Sequence, residues 1–376
     1  MRIVDASLRA VGGAVGDGLR NARRRWGRRR GLLLTLTDAQ GHIGQGEATP
    51  LPGYSPDTVD QARTAIETWC QRADRGAPFD LTAPARDQVS ARLDTIDPLC
   101  PSARFAVETA LLDLLGQRLW QPVEALLGAP DDAAPVPISG LIVNRDADRA
   151  VADARALQAR GVTVAKIKIG LATRVAASDP DAGWHDELDG LRAVRDAVGD
   201  ALAIRLDANG SLPSGDLDAR LAQLAAAAAP SLLEEPSCFG AWSVLARTPV
   251  PLALDEGLRQ PAIRDEFDGL VDRDLCHALV LKPAVLGGAL ACLALARRAA
   301  ARDVPTIVTH CFDGPIALAA AAALARALPG AVRPCGLAPH AGLDAWPAVP
   351  LPMLDARQVI GQVAPGLGLP SIAERL

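Results

Sequence analysis

Val162-Thr163-Val164-Ala165-Lys166-Ile167-Lys168-Ile169 is a short apolar run broken by two lysines. In an extended chain residues i and i+2 share a face, so the two amines point the same way. Comparable apolar runs occur at 136–142, 201–207, 231–235, 250–255, 277–282, 304–309 and 331–336. Between them lie Ala/Leu/Arg-rich stretches of helical character at 147–160, 187–198, 216–228 and 287–302; the segment 256–276 is less clearly helical. Short strands alternating with helices predict a parallel α/β architecture, and eight such strands predict a barrel. A doubly wound sheet is the competing arrangement. It loses support because no G-x-G-x-x-G follows a strand and no Walker A motif is present.

The first 130 residues read differently. Strands are expected at 2–10 and 31–37, and helices at 57–74 and 101–119, the last opened by Pro101-Ser102. Between the two strands, Val11–Arg30 is Gly-rich and then carries Arg23, Arg24, Arg25, Arg28, Arg29 and Arg30. Such a run is read as a solvated or mobile loop, with a flap attracting an anionic substrate as the alternative. The expected organisation is an α+β capping domain over 1–130, a barrel over 131–340, and a Pro-punctuated tail over 341–376 that returns to the cap.

Of 376 residues, 49% are apolar and 22% charged, the composition of a globular chain with a sizeable core. A net charge of −5 offers no electrostatic footprint for nucleic acid. No apolar run reaches the roughly 18 residues of a membrane span. The seven cysteines are scattered without a C-x-x-C, which reads as reduced thiols in a cytoplasmic protein. The basic residues are the unusual feature: of 39 Lys and Arg, only Lys166, Lys168 and Lys282 are lysine. An ammonium can lose its proton where a guanidinium cannot, so lysines retained in so Arg-rich a chain are candidate reactive amines.

In a β/α barrel the catalytic groups project from the C-terminal ends of the strands. Those ends carry Lys166 and Lys168, then Arg205-Leu206-Asp207-Ala208-Asn209, Leu233-Glu234-Glu235-Pro236, Leu254-Asp255-Glu256, and Leu281-Lys282-Pro283. Three carboxylates on neighbouring strand ends repel unless a cation joins them, and hard oxygen donors suit Mg²⁺. A cation and a second lysine nearby are expected to lower a lysine pKa towards the range of a general base.

This ordered set resembles the enolase superfamily and, within it, the muconate-lactonizing subgroup. The resemblance implies a modified (β/α)7β TIM-type barrel with an α+β cap. It implies Mg²⁺, with Mn²⁺ as a substitute, held by Asp207, Glu234 (rather than Glu235) and Asp255. It further implies acid–base roles for Lys168 and Lys282, with Lys166 tuning Lys168. Gly46-Glu47-Ala48-Thr49-Pro50-Leu51-Pro52-Gly53-Tyr54-Ser55 is similar to the cap loop of the o-succinylbenzoate synthase family, as are Pro101–Ala106 and Leu281–Gly288. Two departures concern substrate contacts. Thr309-His310-Cys311-Phe312-Asp313-Gly314-Pro315 stands where several relatives carry a run of Ser, and Ser211-Leu212 stands where an aromatic is often found.

The resemblance implies a small-molecule carboxylate substrate and a syn-dehydration forming o-succinylbenzoate in quinone biosynthesis. The frame also admits N-acyl amino acid racemisation, dipeptide epimerisation or cycloisomerisation, and a non-catalytic binding barrel is the alternative from another class. Arg205, Asn209, Tyr54, Thr309, His310 and Gly314 are candidate substrate or supporting residues. The backbone N–H groups where Asp313-Gly314-Pro315 opens a helix are the expected seat of the succinyl carboxylate. The sequence leaves the oligomeric state open.

Overall fold

A computed structural model describes residues 1–20, 25–72, 77–143, 146–170, 180–355 and 357–372. An antiparallel sheet, β1 (Ile3–Arg20), β2 (Arg25–Asp38) and β3 (Ile43–Ala48), comes first, followed by helices α1 (Val59–Gln71), α2 (Ala85–Leu93), α3 (Pro101–Leu119) and α4 (Val123–Leu127). Thr58 and Gln61 close a reciprocal capping box at the start of α1, and Pro101 occupies the first turn of α3, where its missing N–H costs nothing.

The remainder alternates strand and helix: β4 (Val136–Pro137), β5 (Gly140–Ile142), α5 (Ala147–Ala159), β6 (Val164–Lys168), α6 (Pro180–Val198), β7 (Ala203–Asp207), α7 (Leu217–Ala228), β8 (Leu232–Glu234), α8 (Phe239–Trp242) and β9 (Leu252–Leu254). Then follow α9 (Pro261–Asp265), α10 (Phe267–Asp272), β10 (Ala278–Leu281), α11 (Pro283–Leu286), α12 (Ala289–Ala300), β11 (Thr306–Val308), α13 (Pro315–Arg326) and β12 (Gln358–Val359). Strands β5 to β11 form one parallel sheet in sequence order. It curls so that a small apolar cluster of Leu232, Ala253, Ala278, Val280 and Ile307 fills its inside, while the main core lies between sheet and helices.

Several expectations change. Residues 11–20 and 25–30 are not a loop: β1 and β2 run on as a long antiparallel pair whose register sets Val11 against Gly31 and Gly13 against Arg29. A twisted two-stranded ribbon needs no continuous apolar pattern where one face meets solvent, so the Gly- and Arg-rich composition concealed it. Arg23 and Arg24 lie outside the described residues. Residues 331–336 form no strand; the eighth position is reduced to single bridges, Ile138 to Cys335 and Thr309 to Gly336, which join the two sides of the curled sheet. The run 136–142 divides in two, and β4 pairs instead with β12 of the tail.

The two parts of the chain share one core. Strand β3 lies against α3 so closely that a Cβ at Gly46 would overlap the Ala106 carbonyl oxygen. Gly46→Ala is therefore expected to destabilise the protein by about 1–3 kcal/mol, an overpacking cost read as a lowered urea midpoint.

Candidate active site

Strands β6 to β10 bring their C-terminal ends to one mouth. The carboxylates of Asp207, Glu234 and Asp255 are buried, each offering an oxygen within 4.8 Å of the others. Glu235 turns away: in a left-handed conformation it accepts the backbone N–H groups of Asp255 (2.9 Å) and Gly257 (3.1 Å), and so holds the end of β9 in place. Three hard-oxygen donors in a buried cluster fit a divalent cation such as Mg²⁺.

All three lysines converge on this cluster. Lys166 Nζ lies 2.9 Å from Glu234 and 3.1 Å from Asp207; Lys168 Nζ lies 2.8 Å from Asp207 and 3.2 Å from Asn209 Oδ1. Lys282 donates to Asp255 and, at 2.6 Å, to the Tyr54 hydroxyl. Burial favours neutral amines, but Asp207 and Glu234 outweigh it for Lys166, as Asp255 does for Lys282, so both sit above the ordinary lysine value. For these two amines the carboxylates, rather than a second lysine, are the dominant neighbours. Burial would likewise raise Asp207, yet Lys166 and Lys168 hold it well below the usual carboxylate range.

The cleft above the cluster is lined by the three lysines, Asp207, Asn209, Thr309, His310, Cys311 and Phe312 from the strand ends. Leu51 and Tyr54 line it from the N-terminal unit, and Ser139 to Leu141, Gly336, Ala338 and Pro339 complete it. Ser139 to Leu141 at the start of β5, and Gly336, Ala338 and Pro339 at and after the eighth position, carried no motif in the sequence. Tyr54 is placed by its own turn and by Arg259, which donates to its carbonyl and stacks 4.8 Å over its ring; burial raises its phenol, which stays neutral. Thr309 Oγ1 donates to the Gly336 carbonyl. His310 accepts the Phe312 N–H at Nδ1, and burial followed by Lys166 brings its pKa down to about 3. It therefore faces the cleft as a neutral imidazole.

Two candidates fall elsewhere. Arg205 is buried away from the cleft and donates to the Pro334 carbonyl, bracing the eighth position. At Gly314 the Glu47 carboxylate stands where the sequence suggested a substrate carboxylate: it accepts the N–H groups of Gly314, Ile316 and Ala317 at the N-terminus of α13. That end of a helix attracts an anion, and here the protein supplies its own.

Against this geometry, the family described as "Enolase C-terminal domain-like" matches residues 149–373, and that described as "MenC, N-terminal domain" matches residues 15–114. The chain belongs to the enolase superfamily, whose members are metal-dependent enzymes. It is similar to the o-succinylbenzoate synthase of Desulfotalea psychrophila (30% identity over 276 residues, 67% of this chain and 71% of the relative). It is also similar to that of Yersinia pseudotuberculosis serotype O:3 (29% over 349 residues, 88% and 90%). Among solved structures, the dipeptide epimerase of Enterococcus faecalis V583, complexed with Mg and the dipeptide L-Leu-L-Tyr, shares the fold. Its TM-score is 0.80 at 21% identity, over 98% of this chain and 99% of that one.

Burial, and next the neighbouring Asp313, raise Glu47 from 4.5 to about 7. The folded state then holds a proton that the unfolded chain has released, so this group's contribution is full below the unfolded value and is lost as pH rises through about 7. Between about pH 5 and about pH 7 the wild type should lose stability relative to Glu47→Gln, by up to about 1.4 kcal/mol per pH unit; urea unfolding across that window measures it.

Proposed function

We propose that the chain is an o-succinylbenzoate synthase, converting 2-succinyl-6-hydroxy-2,4-cyclohexadiene-1-carboxylate to o-succinylbenzoate and water. The observation that carries this reading is the cap loop Gly46–Ser55, which reaches the site itself: Tyr54 hydrogen-bonds Lys282, and Leu51 joins it in the cleft wall. The match of residues 15–114, which include that loop, to the MenC N-terminal family supports it.

Asp207, Glu234 and Asp255 would hold the divalent cation, Mg²⁺ or in its place Mn²⁺. Bound there, it would supply positive charge where the substrate's carboxylate gains negative charge. Lys168, in its amine form, takes the proton from the carbon bearing that carboxylate. The electron pair moves into the ring, the C–O bond to the ring hydroxyl breaks, and the departing oxygen takes the proton back from Lys168 to leave as water. Lys166, tied to Asp207 and Glu234, holds those carboxylates in place and lends positive charge beside Lys168. Lys282 remains protonated on Asp255 and Tyr54, a fixed cation on the other side of the cleft. Its presence there favours the second reading: an amine opposite Lys168 also suits racemisation or epimerisation.

Lys168→Arg keeps the charge and removes the base, so turnover should fall by about 10²–10⁴-fold or more while the fold persists. Excess EDTA should abolish activity and Mg²⁺ restore it, and Asp255→Asn should lose Mg²⁺ affinity by calorimetry. A barrel that merely binds ligands would be indifferent to the metal.

Comparing kcat/KM for dehydration and for racemisation of N-succinyl amino acids on one preparation ranks the two readings. Dehydration is expected to exceed racemisation, and the opposite order would replace the proposal with the second reading.

A further inference from the structure

Arg29 is fully buried although its neighbours on β2, Arg28 and Arg30, are exposed. Its guanidinium is shared between two loops from opposite ends of the sequence. Nη2 donates to the Thr49 carbonyl (2.6 Å) and Nη1 to that of Pro50 (3.3 Å), both in the cap loop. Nε donates to the Phe312 carbonyl (2.9 Å) and Nη2 also to that of Cys311 (3.4 Å), in the loop after β11. Asp313 is its counter-charge at 3.8 Å, and the Thr49 hydroxyl donates to the same carboxylate at 3.0 Å, tying the loops a second time.

Both loops line the cleft: Leu51 and Tyr54 follow directly on one set of acceptors, and Cys311 and Phe312 are the other. Only a planar fork with five N–H donors can satisfy four backbone carbonyls in this arrangement; a lysine ammonium has three donors on one atom. We propose that Arg29 is a positioning residue for substrate, fixing the cap loop against the loop after β11 and so setting the width of the slot that seats the part of the substrate remote from the carboxylate cluster. This rests on the o-succinylbenzoate synthase reading for the substrate, and on the hydrogen bonds alone for the loops.

The groups assigned to the chemistry stand on barrel strands that Arg29 does not touch, so loosening the loops should act on binding first. Arg29→Lys is expected to lower kcat/KM for dehydration by about 10²-fold, mainly through a higher KM, because a displacement of about 1 Å in a substrate seat costs that much. Arg30→Lys, at an exposed site on the same strand, should leave both constants unchanged. Asp313→Asn, which keeps its shape but removes the counter-charge, should give a smaller loss with the same KM bias, and it carries the kinetic test if Arg29→Lys does not fold.

Amide hydrogen exchange tests the loops without turnover. In Arg29→Lys, residues 49–54 and 309–313 should exchange faster together while α3 keeps its protection. A loss confined to kcat, unchanged kinetics, or faster exchange in only one loop would overturn the proposal. If the two loops loosen together in Arg29→Lys but the wild type does not dehydrate the substrate, the functional reading falls and the joint between the loops stands.

Discussion

Carboxylates from three adjacent strands lie buried within 4.8 Å of one another, and such a cluster exists only where positive charge meets it. The barrel supplies that charge from both sides: Lys166 and Lys168 on the strand before Asp207, Lys282 on the strand after Asp255. The parallel register does the rest, because Lys168 pairs with Asp207 and Asp207 with Glu234, so the side chains arrive at one level. A cation joining the carboxylates would take over part of the charge the amines now balance. The protonation of the amines and the occupancy of the carboxylates are therefore one coupled problem rather than two.

The same constraint explains why the N-terminal unit is not a detachable lid. Its buried carboxylates finish barrel helices: Glu47 caps α13, and Glu108 accepts the N–H groups of Ala289 and Leu290 at the start of α12. Burial brings both to about 7. Asp113 in turn accepts the N–H groups of Gln45 and Leu367, fastening the tail. Each is a polar group that would be costly to bury alone and is satisfied only when the parts are docked. The cap loop therefore carries Tyr54 to Lys282 from a rigid base.

Much of this was legible in the residues. The strands carrying Lys166, Asp207, Glu234, Asp255 and Lys282 are short apolar runs with one or two charges at the end, and that pattern survives without any knowledge of packing. Helix α3 was legible from periodicity and an initial proline, and the start of α13 from Gly314-Pro315. What escaped was whatever depends on a partner distant in sequence. Arg29 is one letter in an Arg-rich run, and nothing local distinguishes it from Arg28 or Arg30; its burial is decided by carbonyls some twenty and nearly three hundred residues away. The helix N-terminus at Gly314 read as the seat of a substrate carboxylate. The carboxyl group on it in the fold is that of Glu47, more than two hundred and fifty residues earlier. The eighth strand failed because two single bridges leave no alternation to read.

The bias of composition towards arginine makes the chain an internal comparison of the two cations. Where a fork is useful, arginine is buried: Arg29 spans two loops, Arg205 braces Pro334, and Arg326 joins Glu124 to the carbonyls of Ala133 and Ala134. Those are fixed, permanently charged joints, and the protonated fork is what each carbonyl set requires. The three lysines stand together at the mouth, each ammonium against the buried carboxylates. There the proposed chemistry also asks an amine to give up and recover a proton, which a guanidinium cannot do. Lys166 meets both Asp207 (3.1 Å) and Glu234 (2.9 Å) with one nitrogen, the compact contact that an ammonium offers and a planar fork does not. Arginine thus goes where several carbonyls need a fork, and lysine to the ends of two strands where one nitrogen meets buried carboxylates; at Lys168 the proposed proton exchange adds a second demand to that geometry.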